Sequence, residues 1–163
     1  MEGIEFGLLA LLALCCIGVD GFCVLFETAI KGSRKSRLER LADDGENRAV
    51  QALSIIEEPE NLLSMVQIGI TTASILLGMT IGAWIAPMAE TYIVFMPHAY
   101  WLTLLASIMI VAYGNLLFGE FIPKKVALQN PERILIRYIS ILRFLEKVSR
   151  PLVAFLSASA NTA

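Results

Sequence analysis

Positive charge is missing from most of this chain. No Lys or Arg occurs in residues 1–30 or 49–123; all 13 fall between Lys31 and Arg48 or between Lys124 and Arg150. Such segregation is expected when basic loops stay on the cytoplasmic side of a membrane during insertion. Histidine is nearly absent: His98 stands alone, in a segment read as a solvated outer loop, so no Cys/His metal cluster and no Ser/His/Asp set exists. Neither a P-loop nor a Gly-rich phosphate loop is present, and an enzyme is not expected. The three cysteines, Cys15, Cys16 and Cys23, all lie in the first apolar run. They read as small apolar residues rather than a disulfide framework. Charged residues make up 17% and hydrophobic residues 56%, whereas a soluble domain carries about a quarter charged. A net charge of −2 implies no nucleic-acid partner.

What remains is apolar length. Residues 6–30, 61–86 and 101–122 each suffice to cross the hydrocarbon core, which takes about 20 residues. The expected fold is therefore an all-α integral membrane protein with three transmembrane helices. The first run lacks a basic leader and carries its positive flank afterwards, so it reads as a span with its N-terminus outside and not as a cleaved signal. Three spans then leave the C-terminus in the cytoplasm, with both basic blocks on that side. Between spans one and two, Leu38 and Leu41 share a face, Gly45 breaks the chain, and Val50, Leu53 and Ile56 form a second stripe. This predicts a cytoplasmic helical hairpin. Pro59 suits the first turn of span two. Residues 87–100 form the outer loop, framed by Trp84, Tyr92, Tyr100 and Trp101. Pro123 is expected to end or kink span three. Residues 131–157 interleave five cations with isoleucines and leucines; that cost forbids a span and predicts an amphipathic juxtamembrane helix at the interface.

Polar residues inside the spans carry the functional question, because a carboxylate at depth is expensive. Asp20 lies deep in span one. Glu120 follows Gly119 and precedes Pro123, where a broken helix would expose carbonyl oxygens. Asn115, beside Gly114, lies five residues earlier, slightly over one turn. Thr71 and Ser74 offer hydroxyls from span two, and Glu27 and Thr28 offer a carboxylate and a hydroxyl from span one. Oxygen ligands alone suit a hard cation such as Mg²⁺. Against this, hydroxyls can bond back to their own helices, and Glu27 can pair with Lys31. Gly78 and Gly82 form a small-residue packing face.

The stretch Gly119-Glu120-Phe121-Ile122-Pro123-Lys124-Lys125 resembles the G-E-x-x-P-K motif of the CorC/cyclin-M (CNNM) transmembrane domain. Val66-Gln67-Ile68-Gly69-Ile70-Thr71 through Ala73-Ser74 is similar to that family's second span. Glu27-x-Ala29 with Ser33-Arg34-Lys35-Ser36-Arg37-Leu38 resembles its first-span exit, and Asn130-Pro131-Glu132 its following helix start. The resemblance covers residues 1–163. It implies a dimeric Mg²⁺ transporter that uses the Na⁺ gradient to export Mg²⁺ across the cell membrane, with a belt-like juxtamembrane helix. Relatives usually continue into paired CBS modules that bind adenine nucleotide; this chain is expected to lack them. The serines that many members carry before the first-span Glu are replaced here by Val24, Leu25 and Phe26, so first-span ligands and ion identity do not follow from the resemblance.

Three functions compete on these residues: a Mg²⁺ transporter; an exporter of another cation or of a polyamine, with Tyr113 and Glu120 as contacts; and a non-transporting module that dimerises or senses Mg²⁺.

Overall fold

The computed structural model describes residues 2–93 and 97–161, and within them every regular element is a helix. Helix α1 spans Glu2–Gly32, α2 Lys35–Asp43, α3 Asn47–Glu57, α4 Glu60–Ile93 and α5 Pro97–Asn115. A π-helical turn, Leu116–Phe121, follows, then α6, Ile122–Gln129, and α7, Pro131–Asn161. Three stretches are long and apolar enough to cross a membrane: Glu5–Gly32, Glu60–Ile85 and Leu104–Gln129. At 31 residues, α1 measures about 45 Å, more than the hydrocarbon thickness. The chain divides into two compact units. One comprises Met1–Phe22 and Ile70–Ile122; the other comprises Cys23–Gly69 and Pro123–Ala163.

In the second unit, chain reversals follow from local chemistry. Gly45 adopts φ +94°, a left-handed conformation that glycine takes without steric cost. Its N–H bonds Ala42 O, and the Glu46 N–H bonds Leu41 O, ending α2 as the glycine predicts. Helices α2 and α3 pack on one another, and α3 packs on α7. Leu38, fully buried, plugs α2 into this group. The α3 stripe differs from expectation. Ala49, Ala52 and Ile55 are buried, while Val50 is 54% exposed. Two stripes one residue apart both recur at helical spacing; the one rich in alanine faces inward because small side chains let a neighbouring helix approach. Arg143 Nη2 of α7 then donates to Ser54 Oγ at 2.8 Å.

Two boundaries also differ. The Pro59 carbonyl accepts the Leu63 N–H at 2.8 Å, so Pro59 caps α4 from just outside it. The loop expected at 87–100 is narrower, since α4 runs to Ile93 and α5 begins at Pro97; the side chains of Glu90, Tyr92, His98 and Tyr100 lie outside the described residues.

Pro123 does not end the third apolar helix. The backbone instead widens before it, with the Ile122 N–H bonded to Leu117 O, five residues back, and continues helically to Gln129. A proline in a helix lacks a donor and clashes with the carbonyl four residues behind it. A wider turn relieves that clash without breaking the rod. Helix α7 bends at Tyr138 (φ −105°, ψ 16°), where the Phe26 ring packs edge-on at 5.8 Å.

Glu132 locks the start of α7 to the start of α2. It is only 4% exposed, its Oε1 accepts the Arg34 N–H at 3.3 Å, and its Oε2 lies 3.8 Å from Arg37 Nη1. Arg34 caps α2 without a side-chain bond of its own, so a carboxylate from 98 residues away satisfies a donor the helix leaves open.

Candidate functional site

The first unit holds a buried polar cluster. Asp20 of α1 is 4% exposed, and its carboxylate is hydrogen-bonded by the side chain of Asn115, the last residue of α5. After that bond is made, Asp20 Oδ1 and Asn115 Oδ1 remain buried with no hydrogen-bond partner among the described residues. Each such group forgoes about 1–3 kcal/mol when left without a donor or cation. The Glu120 carboxylate lies near enough for its negative charge to be felt at Asp20.

The π turn makes this convergence possible. In a regular α-helix, five residues overshoot one turn by about 140°, which would aim Asn115 and Glu120 apart. A π turn closes its hydrogen bonds over five residues, which reduces that offset. The wide turn therefore supplies what simple helical spacing does not.

Gly119 sits at the centre. A Cβ there would fall 2.8 Å from Asn115 Oδ1 and 2.9 Å from Asp20 Oδ2. Real carbon atoms do not approach so closely, so any side chain at 119 would displace the two oxygens. The glycine is required by this close approach, not by its backbone angles.

The other residues singled out from sequence fall elsewhere. Ser74 lines an apolar cleft of about 450 Å³ between α4 and α5, with Gly78, Gly82, Ile108 and Ala112. Gly78 and Gly82 are open, with no heavy atom within 4 Å of a Cβ at either position among the described residues. Thr71 is exposed. In the second unit, Glu27 pairs with Lys31 one turn on, and Thr28 is half-buried nearby on α1. Gly114 is half-buried beside Asn115. Several hydroxyls bond back to their own helices: Thr80 to Leu76 O at 2.7 Å and Ser64 to Glu60 O at 2.8 Å. Cys15, Cys16 and Cys23 form no disulfide among the described residues. Cys23 packs so tightly that its Sγ would lie 2.8 Å from a Cβ at Gly69.

Asp20 is the residue that spacing alone did not assign to the cluster. Its signal was present, since a carboxylate deep in an apolar span is rare without a role, but its partner lies 95 residues away in sequence.

Chemically, the cluster offers oxygen ligands from two carboxylates and from an amide whose N–H₂ is turned to Asp20. Among the described residues, no three His, Cys, Asp or Glu side chains converge as a metal cluster. A cation here would keep part of its water or draw on backbone carbonyls, the habit of Mg²⁺, which is usually held by one or two carboxylates.

Residues 11–163 match the family described as the cyclin M transmembrane N-terminal domain. A UPF0053 protein of Synechocystis is 35% identical over 139 residues, covering 83% of this chain and 31% of that protein. An uncharacterized protein of Mycobacterium tuberculosis is 34% identical over 153 residues, covering 93% of this chain and 44% of its own. The polyamine export protein of Escherichia coli is 32% identical over 154 residues, covering 93% and 34%. The chain thus spans from 31% to 44% of the length of these curated relatives.

Proposed function

This chain belongs to the cyclin M transmembrane family, and on that premise we propose that it is the membrane-spanning part of a cation exporter whose cargo passes the Asp20–Asn115–Glu120 cluster. The observation that carries this reading is the pair of buried oxygens, Asp20 Oδ1 and Asn115 Oδ1, left without a donor. A cation is the ligand that two such acceptors in an apolar surrounding would stabilise. Transport, not catalysis, fits a site whose unpartnered atoms are acceptors.

The preferred cargo is Mg²⁺. Hard oxygen ligands, few carboxylates and room for retained water describe its usual surroundings. Export coupled to Na⁺ entry, with the N-terminus outside and the basic blocks in the cytoplasm of a cell membrane, completes the proposal. A homodimer formed through the open Gly78–Gly82 face is part of it.

A second reading is a polyamine as cargo. It is favoured by the relatives from Escherichia coli and Haemophilus influenzae that carry the name polyamine export protein. The experiment that separates them is flux from vesicles reconstituted with this chain and loaded with Mg²⁺ or with spermidine. Mg²⁺ efflux that Asp20→Asn abolishes supports the first reading. Spermidine efflux alone supports the second. No efflux of either contradicts transport by this chain.

A further inference from the structure

In the second unit, the end of α6 and the first two turns of α7 enclose a cleft of about 270 Å³. One wall is apolar, built by Leu25, Val126 and Ile134; the other carries Arg133 and Arg137, with Asn130 at the helix start. Among the described residues, no carboxylate lines it. Glu132, the acidic residue of this turn, is buried towards α2, holding Arg34 and Arg37.

Arg133 is poorly placed for its own helix. It lies in the first turn of α7, where the helix dipole is already positive and a cation is disfavoured. Among the described residues, Arg133 and Arg137 are in no ion pair, whereas Lys31, Lys35, Arg37 and Arg143 each have a carboxylate within reach. Arg137 stands one turn on, with its guanidinium 5.9 Å from the Tyr138 ring centre, which fixes its direction. Both arginines are exposed. Two cations and a helix N-terminus thus converge on one spot with no anion supplied by the cleft.

The position identifies the ligand. Gln129, at the cleft, is the last residue of the third apolar stretch, and Leu25 belongs to the first. Val126 and Leu128 remain exposed on the final turns before it. An occupant must therefore be apolar at one end and anionic at the other, at the level where hydrocarbon gives way to headgroups. We infer that this cleft binds an anionic phospholipid, its phosphate held by Arg133 and Arg137 and its acyl chain lying along Leu25, Val126 and Ile134. Basic pockets at membrane boundaries recognise lipid headgroups on these terms.

The test uses the whole chain in phosphatidylcholine vesicles doped with spin-labelled phosphatidylglycerol or spin-labelled phosphatidylcholine. The fraction of motionally restricted label reports association. Wild type should prefer the glycerol lipid by about tenfold, and Arg133→Gln with Arg137→Gln should reduce that ratio to near one. Arg133→Lys with Arg137→Lys should retain most of it, and Arg143→Gln, outside the cleft, should leave it unchanged. Undiminished preference in the double glutamine variant would overturn the assignment. Equal loss in Arg143→Gln would also overturn it, by showing diffuse surface attraction. Full displacement of the label by millimolar inorganic phosphate would overturn the lipid as the source of the phosphate. Should the glutamine variant not fold, the wild-type preference and its resistance to phosphate still decide.

Discussion

Asp20 and Asn115, 95 residues apart in sequence, hydrogen-bond one another inside the first unit, and each keeps one buried oxygen with no donor among the described residues. Native interiors rarely leave such atoms without partners. That pair, beside the wide turn that carries Gly119 and Glu120, is the basis of the proposed cation site.

Gly119 leaves no room for a Cβ between the two polar side chains. Gly119→Ala should therefore push Asp20 and Asn115 apart, destabilising the protein by about 1–3 kcal/mol through overpacking and weakening cation binding at least tenfold. Thermal unfolding in detergent and a Mg²⁺ titration of the same sample check both effects. Unchanged melting and affinity would show that the close approach has no consequence.

Pro123 favours the wide turn, because a regular helix would bring its ring against the carbonyl of Gly119. Pro123→Ala removes the clash and restores a donor, so α geometry becomes competitive. Helical content should hold or rise slightly while affinity for the cation falls several-fold, since the offset between Asn115 and Glu120 grows. Circular dichroism and calorimetry on one preparation read the two quantities separately.

Glu132 bridges α7 to the start of α2. Glu132→Ala leaves the Arg34 N–H without its acceptor and should cost about 3 kcal/mol. Glu132→Gln keeps an acceptor and should cost less than half of that. Cation binding, located in the other unit, should change little in Glu132→Gln. Denaturation curves of the two variants provide the comparison.

Much of this architecture was legible in the sequence. The three spans follow from apolar length, and Gly45 marked the α2–α3 reversal because only glycine turns there without strain. Other features depended on tertiary choice. Val50-Leu53-Ile56 and Ala49-Ala52-Ile55 are both valid helical stripes, and only contact with α7 selects the second. The stretch Leu116–Phe121 carries no residue that announces a π turn; its cause is Pro123, just beyond its end, read from sequence as an end or a kink. Gly69 owes its identity to Cys23, 46 positions earlier, a fit that no local pattern displays. For the cluster, Asn115 and Glu120 stood out as polar residues near a proline. Asp20 was visible as a deep carboxylate, but its pairing required the fold.

The most direct measurement is Mg²⁺ titration calorimetry on the purified chain, wild type against Asp20→Asn, with Na⁺ as competitor, alongside unfolding of both proteins without Mg²⁺. Asp20→Asn keeps the shape of the side chain and removes its charge. Saturable binding in wild type, weakened at least tenfold in the variant, is predicted; the Mg²⁺-free variant should be the more stable by about 1–3 kcal/mol, because a buried charge has been removed. Equal binding in both proteins, or a Mg²⁺-free variant less stable than wild type, would contradict a cation site at Asp20 and Asn115.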